Sequence, residues 1–318
     1  MSIKQKISQK PIPLIIIQGP TAVGKSRFAM RIAEELDSSI ISADSRQVYK
    51  YLNIGTAKPT LEDQNIIKHH LIDIVKPDEE YNAGMFSDDA DELIKQISSQ
   101  NKIPIICGGT GFYIKALLEG IFKAPEIPID IRQNLRKAAE KNGTEFFYKK
   151  LKKIDPDSAR RINENDVNRI IRALEIYETT GKTITQLWKE DTLEHRNFQT
   201  INIMITEDRK ILYDRINNRV DKMIENGLLD EMKGLINRGY KRTDPGMNTV
   251  GYKELFPFLD GEKKFVDCID KIKQNTRNFA KRQLTWYRKI DFDLTLDSKN
   301  ITFSNVFKEI MKILQEKR

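Results

Sequence analysis

The residues best equipped for chemistry lie close together near the start of the chain. Gly19-Pro20-Thr21-Ala22-Val23-Gly24-Lys25-Ser26 has the Gly-x-x-x-x-Gly-Lys-Ser spacing of a phosphate-binding loop. Glycines in such a turn let successive backbone N–H groups converge on an anion. Lys25 adds a point charge for the outer phosphate, and the Ser26 hydroxyl is the candidate ligand for Mg2+. The implied ligand is a diphosphate or a triphosphate; the loop alone does not say whether it is a nucleotide. Asp44 follows the apolar run Ser39–Ala43. At the carboxyl end of a parallel strand its carboxylate would face the ligand crevice beside the phosphate loop. The competing role for such a residue is to cap a turn.

These groups need elements to hold them. Leu14-Ile15-Ile16-Ile17 reads as a buried strand, and Phe28, Ala29, Ile32, Ala33 and Leu36 follow at helical spacing. The phosphate loop therefore has its strand–loop–helix context. Further strands are expected at Ser39–Ala43, His69–Val75, Lys102–Cys107 and Phe198–Thr206. Helices are expected over 84–99, up to about Leu118, and over Asn165–Tyr177. The strand ending at Cys107 breaks into Gly108-Gly109-Thr110-Gly111, a second glycine-rich turn. A motor or switch NTPase normally carries a magnesium-holding acid at such a strand end, so that reading weakens. A small-molecule kinase using ATP stays open. Pro125 and Pro128 mark a connector, beyond which the pattern is helical and charged until the strand at Phe198. The fold class is α/β: a parallel core over 1–125 and 198–318, with a helical insertion over 126–197. From Arg209 onward the pattern is mostly helical.

The formal net charge is +8, which points to an anionic partner. Between Lys263 and Lys289 nine Lys and Arg face two Asp, a local excess of +7. Arg277, Lys281 and Arg288 share one helical side there, with Ile269, Ile272, Phe279 and Trp286 on the apolar side. Such concentration favours a nucleic-acid surface over an ordinary solvated face. The N-terminus lacks the apolar core of a signal peptide, and no run is long enough to span a membrane. Cys107 and Cys268 are not spaced for zinc, and the adjacent His69 and His70 point to opposite sides of a strand. The expected setting is the cytoplasm, without a structural metal.

Taken together, the phosphate loop, Asp44-Ser45-Arg46-Gln47-Val48-Tyr49, Asn53-Ile54-Gly55-Thr56-Ala57-Lys58-Pro59, His69-His70-Leu71-Ile72-Asp73 and Gly108–Tyr113 occur in an order that resembles the bacterial tRNA dimethylallyltransferases. Arg169–Glu175, Val250-Gly251-Tyr252 and Arg277–Arg288 extend the resemblance to about residue 290. It implies a P-loop NTPase-like core with a helical insertion that grips the anticodon arm. It also implies transfer of the dimethylallyl group from dimethylallyl diphosphate to N6 of the adenosine 3′ of the tRNA anticodon, with Mg2+ and release of diphosphate. Asp44 matches the family's proposed base. Lys25 and one of Arg215 or Arg219, preferably Arg219, would serve the leaving diphosphate, and Thr110 and Arg132 would contact tRNA near the target base. Asp44 to Gln47 (with Ser45 and Arg46), Asn168 to Arg172 (with Arg169, Ile170 and Ile171) and Asn248 to Lys253 (with Thr249, Val250, Gly251 and Tyr252) match tRNA-contacting segments. Arg277 and Lys281 join them. The target base would leave its stack to reach the diphosphate. The enzyme is expected to act as a monomer. Ser26 stands where many relatives have Thr, and Asn168 where Gln or Arg is common. The competing readings are the ATP-dependent kinase, a non-catalytic RNA-binding protein, and a relative that prenylates free adenine nucleotides.

Overall fold

The computed structural model describes residues 10–122, 125–190 and 196–317. The polar stretch before Lys10 lies outside them. Six strands form one parallel sheet: β1 Ile12–Gln18, β2 Ile40–Ser42, β3 His69–His70, β4 Ile105–Gly108, β5 Phe198–Thr206 and β6 Leu294–Asp297. Their order is β3-β2-β4-β1-β5-β6, with β1 in the interior. Leu14 to Ile17 are wholly buried, because helices cover both faces of a parallel sheet and its central strands read as continuous apolar runs. On one face Ile15, Ile17, Ile201 and Ile203 pack with Phe28, Ile32, Leu212, Ile216 and Ile310.

The described residues of Met1–Glu119 and Arg196–Arg318 form one compact unit, and those of Gly120–His195 a second. In the first, the sheet is flanked by α1 Lys25–Glu35, α2 Leu61–Ile66, α3 Ala83–Ser99 and α4 Gly111–Glu119. The second is helical: α5 Ile129–Asn142, α6 Thr144–Ile154, α7 Pro156–Arg161, α8 Val167–Thr180 and α9 Ile184–Glu190. Leu135, Phe147, Leu151, Ile170, Ile171 and Leu174 make its core. The chain then returns to the first unit with α10 Arg209–Glu225, α11 Leu228–Asn237, α12 Phe256–Leu259, α13 Phe265–Tyr287 and α14 Phe303–Glu316.

Three expectations need correction. The strand expected over His69–Val75 ends at His70. Leu71 and Asp73 take positive φ angles of 60° and 57°, and the Asp73 carboxylate accepts from Lys58 Nζ at 2.6 Å. Near the C-terminus the chain adds an edge strand, β6, beside β5, in a region whose sequence reads as helical. On α13 the buried side chains are Cys268, Ile272, Ala280, Gln283 and Tyr287. Phe279 is 37% exposed and Trp286 only half-buried.

A second apolar cluster, containing Val48, Leu52, Met232, Tyr252 and Leu255, supports the loop before α2. Tyr252 is fully buried. Its hydroxyl donates to Glu231 Oε1 at 2.6 Å and accepts from the Gly55 N–H at 3.0 Å. Glu231 also accepts from the N–H groups of Asn53 and Ile54. Thr249 and Gly251 are buried beside it, so the middle of the Asn248–Lys253 segment is scaffold rather than contact surface. Removing one partner of a buried, charge-assisted bond costs about 1–3 kcal/mol. Tyr252→Phe is therefore expected to lower unfolding free energy by about that amount in a urea titration. An unchanged midpoint would contradict this structural assignment.

Candidate active site

The phosphate loop leaves β1 at Gln18 and enters α1 at Lys25. Gly24 makes the last turn at φ +101°, a conformation that costs a side-chain-bearing residue about 1–2 kcal/mol. The loop lies at the point where the sheet order reverses: β1 pairs with β4 on one side and β5 on the other. Ligands of open parallel sheets bind at such a point. Here a cleft of about 650 Å³ is lined by Thr21, Lys25, Ser26, Asp44, Arg219 and Gln283, among others.

Its charges are arranged for an anion. Lys25 Nζ donates to the Pro20 carbonyl at 2.7 Å. Burial lowers its pKa to about 8; Arg219 acts in the same direction, while Cys107 and Asp44 oppose it. Arg219 has no hydrogen bond or ion pair among the described residues, and burial lowers its pKa too. Its neighbour one turn earlier behaves differently. Arg215 lies 3.0 Å from the buried Glu207 carboxylate and donates to Ser298. Of the two arginines, Arg219 is the cation left over for a ligand. The Ser26 hydroxyl is likewise unengaged and faces the cleft.

The opposite wall is built from the turn after β2. Asp44 Oδ1 accepts from the N–H groups of Arg46 and Gln47 at 2.8 and 3.3 Å. The residue thus caps its own turn while lining the cleft, and its Oδ2 is not used by that cap. Thr110 Oγ1 accepts from the Ser45 N–H at 3.0 Å, and the Thr110 N–H donates to the Ala43 carbonyl at 3.1 Å. Thr110, which the resemblance places near the target base, uses both bonds to hold the turn that carries Asp44. Gln47 accepts from Ser42 and donates to the carbonyls of Thr56 and Ala57, tying the next loop into the wall.

Helix α13 supplies two residues that the sequence does not announce. Gln283 Oε1 accepts from the Thr21 N–H at 2.9 Å, and its Nε2 donates to the Gly109 carbonyl at 2.8 Å. The Tyr287 hydroxyl lies 3.2 Å from the Gly19 carbonyl and 3.4 Å from that of Gly109. The phosphate loop and the second glycine turn are thus fastened to one helix. The only hint in sequence is a polar Gln at a core position of that helix. Phe279, expected in the core, lines the cleft instead.

The segments nominated for tRNA contact divide by burial. Ile170 and Ile171 are core residues of the second unit, because one face of an amphipathic helix must turn inward along its whole length. On the same helix Asn168 and Arg169 are exposed. Arg132 and Arg172 converge on the buried Glu175, at 3.9 and 3.2 Å. In the first unit Asn248, Lys253 and Lys281 are exposed and Val250 is half-buried. Arg277 donates to Asn217 Oδ1 at 2.6 Å. Among the described residues no group of three or more His, Cys, Asp or Glu could hold a metal ion.

A parallel sheet with a phosphate loop at its switch point and a carboxylate across the cleft defines a phosphate-ester or diphosphate enzyme of the P-loop type. The family model described as IPP transferase matches residues 47–290. The chain is 45% identical over 284 residues to the tRNA dimethylallyltransferase of Thermoanaerobacter sp. (strain X514), spanning 88% of this chain and 90% of that protein. It is 44% identical over 293 residues to the tRNA dimethylallyltransferase of Thermotoga maritima, spanning 92% and 94%. Among solved structures it resembles the tRNA isopentenylpyrophosphate transferase of Bacillus halodurans, with TM-score 0.70, 38% identity and 96% coverage of both chains. It also resembles a eukaryotic dimethylallyltransferase acting on tRNA, with TM-score 0.78 and 30% identity over 95% of this chain and 78% of that one. The chain belongs to the IPP transferase family.

The depressed pKa of Lys25 has a measurable sign. In the free cleft its charge is complete well below pH 8 and is lost as pH rises through about 8. A bound diphosphate favours the ammonium and raises that pKa. Binding of a diphosphate monoester at pH 8 is therefore expected to take up about half a proton per site. The uptake reads out as a calorimetric enthalpy that varies with buffer ionisation heat. Lys25→Arg abolishes it. Zero uptake by the unaltered protein would contradict the assignment.

Proposed function

We propose that this enzyme transfers the dimethylallyl group from dimethylallyl diphosphate to N6 of adenosine 37 of tRNA, the nucleoside immediately 3′ of the anticodon, and releases diphosphate. The observation that carries the reading is a single cleft holding an unpaired Arg219, a desolvated Lys25 and the Asp44 carboxylate. The relatives' names supply the substrates. The diphosphate sits against the phosphate-loop amides from Gly19 to Ser26, with Lys25 and Arg219 balancing the charge that grows as the C–O bond breaks. The N6 lone pair forms the new bond to the dimethylallyl C1. The old C1–O pair leaves with the diphosphate, and the N6 proton passes to Asp44.

Mg2+ fits as an accessory ion. It usually takes one or two protein oxygens and completes its shell with water and substrate phosphate, which suits the free Ser26 hydroxyl and the lack of an acidic cluster among the described residues. Bound there, it would neutralise charge on the leaving diphosphate. The kinase reading is disfavoured at the strand ends: β4 closes on Cys107 and Gly108, and Asp73 is bound to Lys58. The exposed Asn168, Arg169, Asn248, Lys253 and Lys281 are the proposed tRNA contacts on the two units. The enzyme acts as a monomer in the cytoplasm, where its tRNA substrate is processed.

A positioned general base contributes about 10²–10⁴-fold. Asp44→Asn is expected to lower kcat for tRNA prenylation by that factor, with KM for dimethylallyl diphosphate nearly unchanged. Arg219→Ala removes a cation that meets developing charge and is expected to lower kcat by about 10²–10³-fold. Arg215→Ala spares kcat, because Arg215 already neutralises Glu207. Turnover by Asp44→Asn at the unaltered rate would overturn the assignment.

A further inference from the structure

The phosphate cleft is built mainly from charged, polar and small residues, yet among the described residues Met30, Ile66, Ile67 and Phe279 also line it. Ile67 belongs to the core, and Met30 packs against that core. Ile66 and Phe279 are left exposed, at 64% and 37%. An aromatic ring left uncovered in a cleft with Lys25 and Arg219 forgoes a large apolar burial, which an apolar ligand group would recover. The two side chains differ in how firmly they are held. Ile66 ends α2, a six-residue helix with no buried residue. Phe279 stands on α13, and bonds on either side of it fix that stretch of helix. Arg277 donates to Asn217 Oδ1 at 2.6 Å, on the helix that carries Arg219. Gln283, one turn later on the same helical face, accepts from the Thr21 N–H at 2.9 Å. Arg282 lies over the ring, 5.8 Å from its centroid. Phe279 is thus a supported apolar surface, the kind that discriminates between ligand groups.

We infer that the Phe279 ring selects the hydrocarbon tail of the diphosphate substrate, an inference that rests on the proposed prenyl transfer. Position argues for the tail over the target base. In that reaction N6 is held at Asp44, on the wall opposite the phosphate loop. The diphosphate lies against the loop, and the tail hangs from C1 between the two. Phe279 is fastened to the loop side through Gln283, so the group it meets is the five-carbon tail. The loop amides, Lys25 and Arg219 hold any diphosphate alike, whatever ester it carries. Choice of the ester therefore falls to the ring, and one methylene in an apolar contact is worth about 10–200-fold in selectivity.

Dimethylallyl diphosphate and methyl diphosphate are titrated calorimetrically against the full chain with Mg2+. The titrations are run on the protein alone and with an anticodon stem-loop carrying purine riboside for the target adenosine, which has no N6 amine to react. The ratio of the two affinities reads the tail contact and cancels effects on the diphosphate site. The unaltered protein is expected to prefer the dimethylallyl ester by about 10–200-fold. Phe279→Ala lowers that ratio about tenfold. Phe279→Leu keeps most of it, because a bulky apolar side chain remains, and Ile66→Ala leaves it in place. A ratio near one in the unaltered protein, a ratio unmoved by Phe279→Ala, or one lost in Ile66→Ala alone overturns the inference. So does a loss in Phe279→Ala confined to stem-loop affinity, which makes the ring a platform for the base. Transfer to an adenosine stem-loop, assayed in parallel, separates the two claims. Transfer without tail preference sinks only this one, and tail preference without transfer sinks only the proposed function.

Discussion

One side-chain amide fixes the geometry on which the rest of the site depends. Gln283 takes a hydrogen bond from the phosphate loop at Thr21 and gives one to the second glycine turn at Gly109. The two turns close neighbouring strands β1 and β4, and each is otherwise a short irregular segment. Buried amides that lose a partner pay a desolvation penalty, so the pair of bonds resists independent movement of either turn. The second turn in turn holds the segment bearing Asp44 through Thr110. A displacement at Gln283 would therefore reach the carboxylate through two hydrogen bonds. The same helix leaves Lys281 and Arg282 exposed.

The cleft holds charge that the protein does not balance. Lys25 and Arg219 are both desolvated and both shifted toward their neutral forms. Elsewhere buried charges are paired or hydrogen-bonded: Glu207 has Arg215 and Lys299, Lys58 has Asp73, and Asp155 accepts from Ser158 and Thr185. Removing charge from water without a partner is unfavourable. A bound diphosphate reverses that imbalance, which is why an anionic ligand follows from the geometry. That the anion leaves as diphosphate is the proposed chemistry, and it makes the same cations more favourable late in the reaction than early.

Local signals were legible where chemistry is local. The phosphate loop, β1, α1 and β5 stand at their expected places because each depends on its own residues. β3 was overextended: the apolar pattern runs to Val75, but the Lys58–Asp73 pair and two positive φ angles end the strand. β6 was missed because four residues against β5 give too short an alternation to read. The Gln283 clamp joins positions 262 residues apart, and a polar residue at a core position of its helix is the only local mark of it. Ile170, Ile171 and Tyr252 show the converse limit. A resemblance locates a segment, while burial decides which of its side chains can touch a ligand.

The measurement that tests the central claim most directly is nucleoside mass analysis of unmodified tRNA incubated with the protein, dimethylallyl diphosphate and Mg2+. The account predicts one new nucleoside, N6-dimethylallyladenosine, at the position 3′ of the anticodon, with one diphosphate released per modified tRNA. Unmodified tRNA alongside phosphate transfer from ATP to a small molecule would contradict it.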